Sequence, residues 1–313
     1  MTYATGNSIQ ASDYNTLAGL TASGAGSAAT ATAKAGYLYG VGYGDRGYGQ
    51  SSPALSAVSA GQAVGQEWQS LRTVMVSMAG WQNTSIASLP PATSFNAGAS
   101  IAASSAISSI LSTLDSNRLN YQVGNMTLSG LTSSTRASTW GAGVGSITAE
   151  FSVTFSSEDH ARYFFNTGGE LRILLNHPST ATSRDSSWNT VLSGFNMAFR
   201  ANASARIGGS YGTAQAIGYY QLTTAYQTVI DGTNTGVAPY GVNDFIVQAK
   251  AVTITGANGA KGSVIQFKVI LTDEQTNAFQ DIVQSGTVAT LQQLRATGAY
   301  TISTPSAAVV TAF

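Results

Sequence analysis

DFIVQAKAVTITGANGAKGSVIQFKVILTD, residues 244 to 273, decides the fold class. Two strand-like runs flank a Gly/Asn-rich loop, and this is the strongest hairpin pattern in the chain. The loop GANGAKGS (256 to 263) has the composition of a phosphate-binding loop. That motif, however, needs Gly before Lys and joins a strand to a helix, whereas Lys261 precedes Gly262 and the segment joins two strands. It reads as a hairpin loop.

Moving outward, SITAEFSVTFSS (146 to 157) sets Ile147, Ala149, Phe151, Val153 and Phe155 on one face, the period of a half-buried strand. LRILLNH (171 to 177) is a short apolar run of strand length. From about Tyr121 onward the texture is β-rich with small helical inserts.

The first third reads differently. GNSIQASDYNTL (6 to 17) and GQAVGQEWQSL (61 to 71) share a turn Gly, an apolar anchor, an acid beside a large aromatic, and a Leu; GASIAASSAISSIL (98 to 111) is a looser relative. Each predicts the start of an amphipathic helix, with Trp68, Leu71, Val74, Met75 and Met78 on one face of the second. In the third, Ile107, Ile110, Leu111, Leu114 and a snorkelling Arg118 share a face. The Gly/Ala/Ser/Tyr-rich segment 21 to 53 has no usable period, and its Tyr37, Tyr39, Tyr43 and Tyr48 are a large apolar load for a solvated linker. It is expected to be an arm ordered against a partner subunit. The expected class is therefore α+β: a helical and extended docking region over 1 to 120, then a β-rich, antiparallel sandwich-like domain with short helices over 121 to 313.

Only 9% of the 313 residues are charged, and 14 basic residues balance 14 acidic ones. A surface built from uncharged polar and small residues offers no long-range attraction to nucleic acid or anionic lipid, and near-zero net charge favours association. The absence of cysteine removes disulfides, thiolate nucleophiles and Cys-ligated metals. The N-terminus lacks the basic and apolar regions of a signal peptide, and no apolar run reaches spanning length, so the expectation is a soluble protein made in the cytoplasm.

Few residue groups offer chemistry. GYGDRG (42 to 47) matches GxGxxG, but no strand precedes it and no helix follows. Glu158, Asp159 and His160 fit a helix start better than acid/base work, with Ser156 as N-cap and Asp159 at the capping-box position. His177 precedes Pro178 and is expected at the surface or in a turn. Two histidines without a ligand spacing predict no metal, and no GxSxG elbow is present. No cofactor is expected.

FFNTGGELR (164 to 172) follows the helix start. Asn166 leaves the helix, Gly168 or Gly169 ends it in the left-handed conformation, and Leu171 opens a buried strand. The glycines sit after a C-terminus, where carbonyls rather than N–H groups point out, which argues against phosphate. Glu170 and Arg172 share a face, as a partly exposed pair or as contacts to a neighbouring subunit.

IQASDYN (9 to 15) together with FFNTGGELR resembles a family of tailed-bacteriophage virion structural proteins. SSWN (186 to 189), YGVNDFIVQAK (240 to 250), GSVIQFKVILTD (262 to 273) and LRATGAYTISTPS (294 to 306) carry the resemblance across most of the chain. It implies a particle component located in the virion, with itself and other virion proteins as partners; the charge balance and hydropathy add the expectation of no nucleic acid and no membrane, and the lack of a catalytic signature that of a non-enzymatic role. A neck- or tail-associated position is expected, with Tyr14, Tyr37, Tyr39, Tyr43, Tyr48, Trp68, Glu170, Arg172 and Trp188 as candidate assembly contacts. A capsid decoration or receptor-binding fibre protein, using loops 177 to 187 and 231 to 241, is the alternative. A glycan-degrading tail enzyme with dispersed carboxylates comes third. A chain lacking residues 1 to 53 is expected to fold its β-rich part and to fail to incorporate.

Overall fold

The computed structural model describes residues 11–19, 34–59, 65–95, 104–141, 145–275 and 282–313. Expected turn glycines Gly6, Gly61 and Gly98, and arm residues 21 to 33, lie outside them.

Four helices come first: α1 (Ala11–Ala18), α2 (Ala35–Tyr39), α3 (Gly65–Gln82) and α4 (Ser104–Ser116). Strands β1 (Met126–Thr135) and β2 (Gly145–Thr154) lead to helix α5 (Glu158–Asn166), strand β3 (Glu170–Asn176) and helix α6 (Ser183–Leu192). The remainder is strand: β4 (Asn196–Phe199), β5 (Ser204–Gly208), β6 (Thr213–Ala214), β7 (Gln227–Gly232), β8 (Asp244–Ala251), β9 (Val264–Asp273), β10 (Val288–Ala296) and β11 (Ser306–Thr311). This is the α+β architecture the sequence predicts, with a β-rich domain.

Two antiparallel sheets form, in the orders β1-β10-β3-β4-β5 and β11-β2-β9-β8-β7-β6. The 244–273 hairpin sits inside the larger sheet, in a register from Asp244 opposite Thr272 to Ala251 opposite Ile265. Alternation explains why: Phe245, Val247, Ala249, Ile265, Phe267, Val269 and Leu271 are all buried, and so are Ile147, Ala149, Phe151 and Val153 of β2. The buried faces meet, as Phe199 of β4 lies edge-on to Phe267 of β9 with ring centroids 5.3 Å apart.

The helical stripes are also as expected, with Trp68, Leu71, Val74, Met75 and Met78 of α3 and Ile107, Ile110, Leu111 and Leu114 of α4 buried. Arg118, beyond α4, pairs with Asp45 rather than covering apolar surface. Near residue 120 helix gives way to strand, but one hydrophobic cluster continues across that point from Tyr14 to Phe313. Its seam is Tyr300, from the β10–β11 connection, stacked on Trp81 at 4.8 Å and touching Tyr39 and Tyr48.

Candidate functional site

The N-cap of helix α5 lies one residue later than the sequence suggests. Ser157 is the N-cap, its Oγ accepting from the His160 N–H, while the Ser156 N–H donates to His160 Nδ1 at 3.1 Å. His160 Nε2 lies 2.9 Å from the Ser303 carbonyl, which can only accept, so the ring carries its proton on Nε2. Asp159 is bound to Arg162 at 2.6 Å and to Asn258. The acid–imidazole group is therefore occupied in capping and cross-linking.

At its other end α5 closes on itself. Gly168 N–H reaches Phe165 O at 3.1 Å and Gly169 N–H reaches Phe164 O at 2.8 Å. Gly168 has φ +84°, and a Cβ there would stand 2.1 Å from the Tyr121 ring; at Gly169 it would stand 2.4 Å from Phe164 O. The amides of the doublet are used up in the cap, so no anion cradle exists here.

The polar side of α5 holds the loop that follows α2. Arg162, wholly buried, donates to the carbonyls of Val41 (3.0 Å), Arg46 (3.0 Å) and Gly44 (3.3 Å). Asn166 adds bonds to Gly44 O at 3.1 Å and Gly47 O at 2.9 Å, and Tyr220 Oη lies 2.7 Å from Asn166 Oδ1. Burial pushes the Tyr220 phenol well above its ordinary value. Ion pairs Arg46–Asp115 (2.7 Å) and Arg118–Asp45 (2.6 Å) tie the same loop to the end of α4.

This arrangement corrects the expected arm. Residues 34 to 50 are ordered against their own chain, because a buried guanidinium and amide take their carbonyls. A chain lacking 1 to 53 would leave Arg162 and Asn166 without these acceptors.

The residues picked as assembly contacts are placed accordingly. Tyr14, Tyr37, Tyr39, Tyr48, Trp68 and Trp188 are buried in the chain's own core and so are not surface for a partner. Tyr14 lies edge-on to Trp68 at 5.5 Å, with its phenol pushed up to about 12 by burial and by Glu67. Trp188 packs on Trp140 at 5.1 Å, and Tyr43 is partly buried beside Gly259. Glu170 and Arg172 do pair, at 2.6 Å, but Glu170 is only 1% exposed and its other oxygen takes Arg200 Nε at 2.7 Å. Two guanidiniums compensate a carboxylate that burial alone would make costly. The sequence pointed to neither Arg162, Arg200, Tyr121 nor Tyr220; the one local signal was the Asp159–Arg162 spacing on a helix.

Beside this trio opens a cavity of about 230 Å³, lined by Leu119, Tyr121, Phe165, Glu170, Arg200 and Ala203 among others.

A second polar cluster lies between β3, α6 and β10. His177, expected at the surface or in a turn, directly follows β3 and is instead buried between Asp185 and Thr287. His177 Nε2 is 2.8 Å from Asp185 Oδ1 and Nδ1 is 2.9 Å from Thr287 Oγ1. Trp140 Nε1 donates to Thr287 Oγ1 at 3.3 Å, leaving the hydroxyl proton for His177 Nδ1 and the ring proton for Asp185. This is the proton order of a nucleophile–base–acid triad, yet all three side chains are fully enclosed. Asp185 also accepts from Gln284 N (2.7 Å), Ser179 Oγ (3.0 Å) and Thr182 N (3.2 Å), completing the capping box of α6. Burial works to raise its carboxyl, but these hydrogen bonds outweigh it and hold the group below the usual carboxylate value. The cluster is a clamp on three elements.

Asp273 faces Arg184 at 3.5 Å, both fully buried, and burial raises its carboxyl against the opposing pull of that guanidinium. No group of three or more metal-ligating side chains occurs among the described residues, and no described helix is long and apolar enough to cross a membrane. Comparison with protein families, curated proteins and solved structures returned no match.

Proposed function

We propose that the chain is a non-enzymatic structural subunit of a tailed-phage virion, neck- or tail-associated, that assembles with copies of itself and with other virion proteins. The observation that carries this reading is the pair of strand edges β1 and β11. Each pairs on one side only, β1 with β10 and β11 with β2. They approach one another across the sandwich, where the Phe313 N–H meets Ser134 Oγ at 2.9 Å. MTLSGLTSST and SAAVVT carry no charged residue, and Leu128 and Val310 are 47% and 52% exposed.

An uncharged, partly apolar strand edge is a template for pairing with another chain; β1 and β11 lack the Lys and Pro that guard many edges, and each carries one bulge, at Gly130/Thr132 and at Val309/Thr311. The enclosure of the His177–Asp185–Thr287 group supports the non-enzymatic part of the reading, and the resemblance carried by IQASDYN and FFNTGGELR supports the particle. Assembly thus moves from the arm to the strand edges.

Two measurements test it. Light scattering of the purified chain should show self-association that Leu128→Lys with Val310→Lys abolishes while the circular dichroism spectrum stays unchanged. Gold-labelled antibody should mark the neck or tail of intact particles; uniform labelling of the capsid lattice, or none, would refute the assignment.

A further inference from the structure

We propose that the cavity beside the Glu170 trio binds a small amphiphilic anion: a ring-sized apolar body carrying one carboxylate. The cavity, about 230 Å³, is walled by Leu119, Tyr121, Phe165, Ala201 and Ala203 together with the backbone of the glycine doublet. Apolar walls with a few fixed polar groups are the general form of a small-molecule site. The size suits one ring rather than an extended ligand.

The polar groups set the sign of the charge. Glu170 contributes one negative charge, and both its oxygens are occupied, Oε2 by Arg172 and Oε1 by Arg200 Nε. With Glu170 already neutralised by Arg172 behind the wall, Arg200 is the guanidinium that lines the cavity itself. Arg200 commits only its Nε–H to Glu170 and keeps 46% of its side chain exposed, so its terminal NH₂ groups remain for an incoming acceptor. A guanidinium fork favours a planar carboxylate. A cation is disfavoured because Glu170 has no free oxygen, and an inorganic anion would leave the apolar walls uncovered.

The glycine doublet is part of the construction. A Cβ on Gly168 would occupy the place of the Tyr121 ring, so only a glycine there lets Tyr121 close the wall, while one on Gly169 would collide with Phe164 of the cap. The FFNTGGELR hinge thereby shapes a cavity as well as ending a helix.

The test uses the full chain, with 3-phenylpropionate as probe and 3-phenylpropionamide as its neutral isostere, followed by amide NMR or calorimetry. Eleven heavy atoms at about 0.3 kcal/mol each correspond to a Kd of roughly 4 mM or tighter, which sets the concentration range. Saturable binding of the acid is expected, with the amide weaker by on the order of tenfold. Arg200→Gln should bring the acid to the level of the amide, and Ala203→Trp, at an exposed position on the wall, should abolish binding of both. Equal binding of acid and amide, binding that survives Ala203→Trp, or no saturable binding in that range would overturn the proposal. The comparison of acid with amide uses only the wild-type chain and so does not depend on either variant folding.

Discussion

Residues 41–50 and 252–263 are both glycine-rich loops, and both pass repeatedly through the left-handed region. Gly42, Gly44, Gly47 and Gly49 have φ between 57° and 102°; Gly256, Asn258, Gly259 and Gly262 lie between 49° and 85°. They even touch, the Gly44 N–H donating to Asn258 O at 2.8 Å. The groups that hold them from a distance nevertheless differ. The second loop is closed by its own hairpin, where Val252 N–H meets Val264 O at 3.0 Å and Gly259 N–H meets Gly256 O at 3.2 Å. The first has its carbonyls taken by Arg162, Asn166 and Tyr220, between 116 and 176 residues away. Each loop also has the other kind of bond, Gly49 N–H to Gly40 O at 2.9 Å closing the first and Tyr219 Oη to Gly262 O at 3.0 Å on the second, but only the first gives its carbonyls to a buried guanidinium and amide of α5.

Breaking the clasp should have the largest effect. Arg162→Met keeps the aliphatic length but removes every donor, leaving buried carbonyls of the loop without partners, at about 3 kcal/mol or more in urea unfolding. Residues 41–50 should then become cleavable by protease under native conditions, while 252–263 should not. Gly168→Ala attacks the hinge from which the clasp projects: a left-handed backbone and a collision with Tyr121 should cost about 2 kcal/mol, read as a lowered Tm.

Gly44→Ala and Gly256→Ala sharpen the contrast. Both positions have positive φ with nothing within 4 Å of an added Cβ, so each should cost about 1 kcal/mol, purely from the backbone. Equal costs would place the difference between the loops in the side chains that hold them; a much larger cost at Gly44 would place it in the backbone. Smallest of all is Asp115→Asn, which removes a partly exposed pair with Arg46 and should change stability by under about 1 kcal/mol, decreasing further at high salt.

Legibility followed the range of the interactions. β2, β8 and β9 and the stripes of α3 and α4 could be read because alternation or helical spacing records which face is buried. His177 could not, since its partners Asp185 and Thr287 sit 8 and 110 positions away and a residue before proline looks like a turn. Ser157 rather than Ser156 caps α5 because two serines offer the same hydroxyl and only the His160 geometry selects between them. The tyrosines were recognised as too apolar for solvent, but composition cannot say whose core receives them. Of the candidate site, the turn at Gly168–Gly169 was legible, whereas Arg200, Tyr121 and the cavity they line were not.

The sequence by itself determined the α+β class, the strand faces, the helical stripes and the helix-to-strand turn, since each is written in a spacing of neighbours along the chain. Only the tertiary structure decided that residues 34 to 50 pack on their own molecule, that Glu170 is shared by two arginines, and that a triad-like group is sealed. Those outcomes depend on which distant side chain meets a buried polar atom. Burial makes an unmet carbonyl or carboxylate costly, and no local pattern records where its partner comes from.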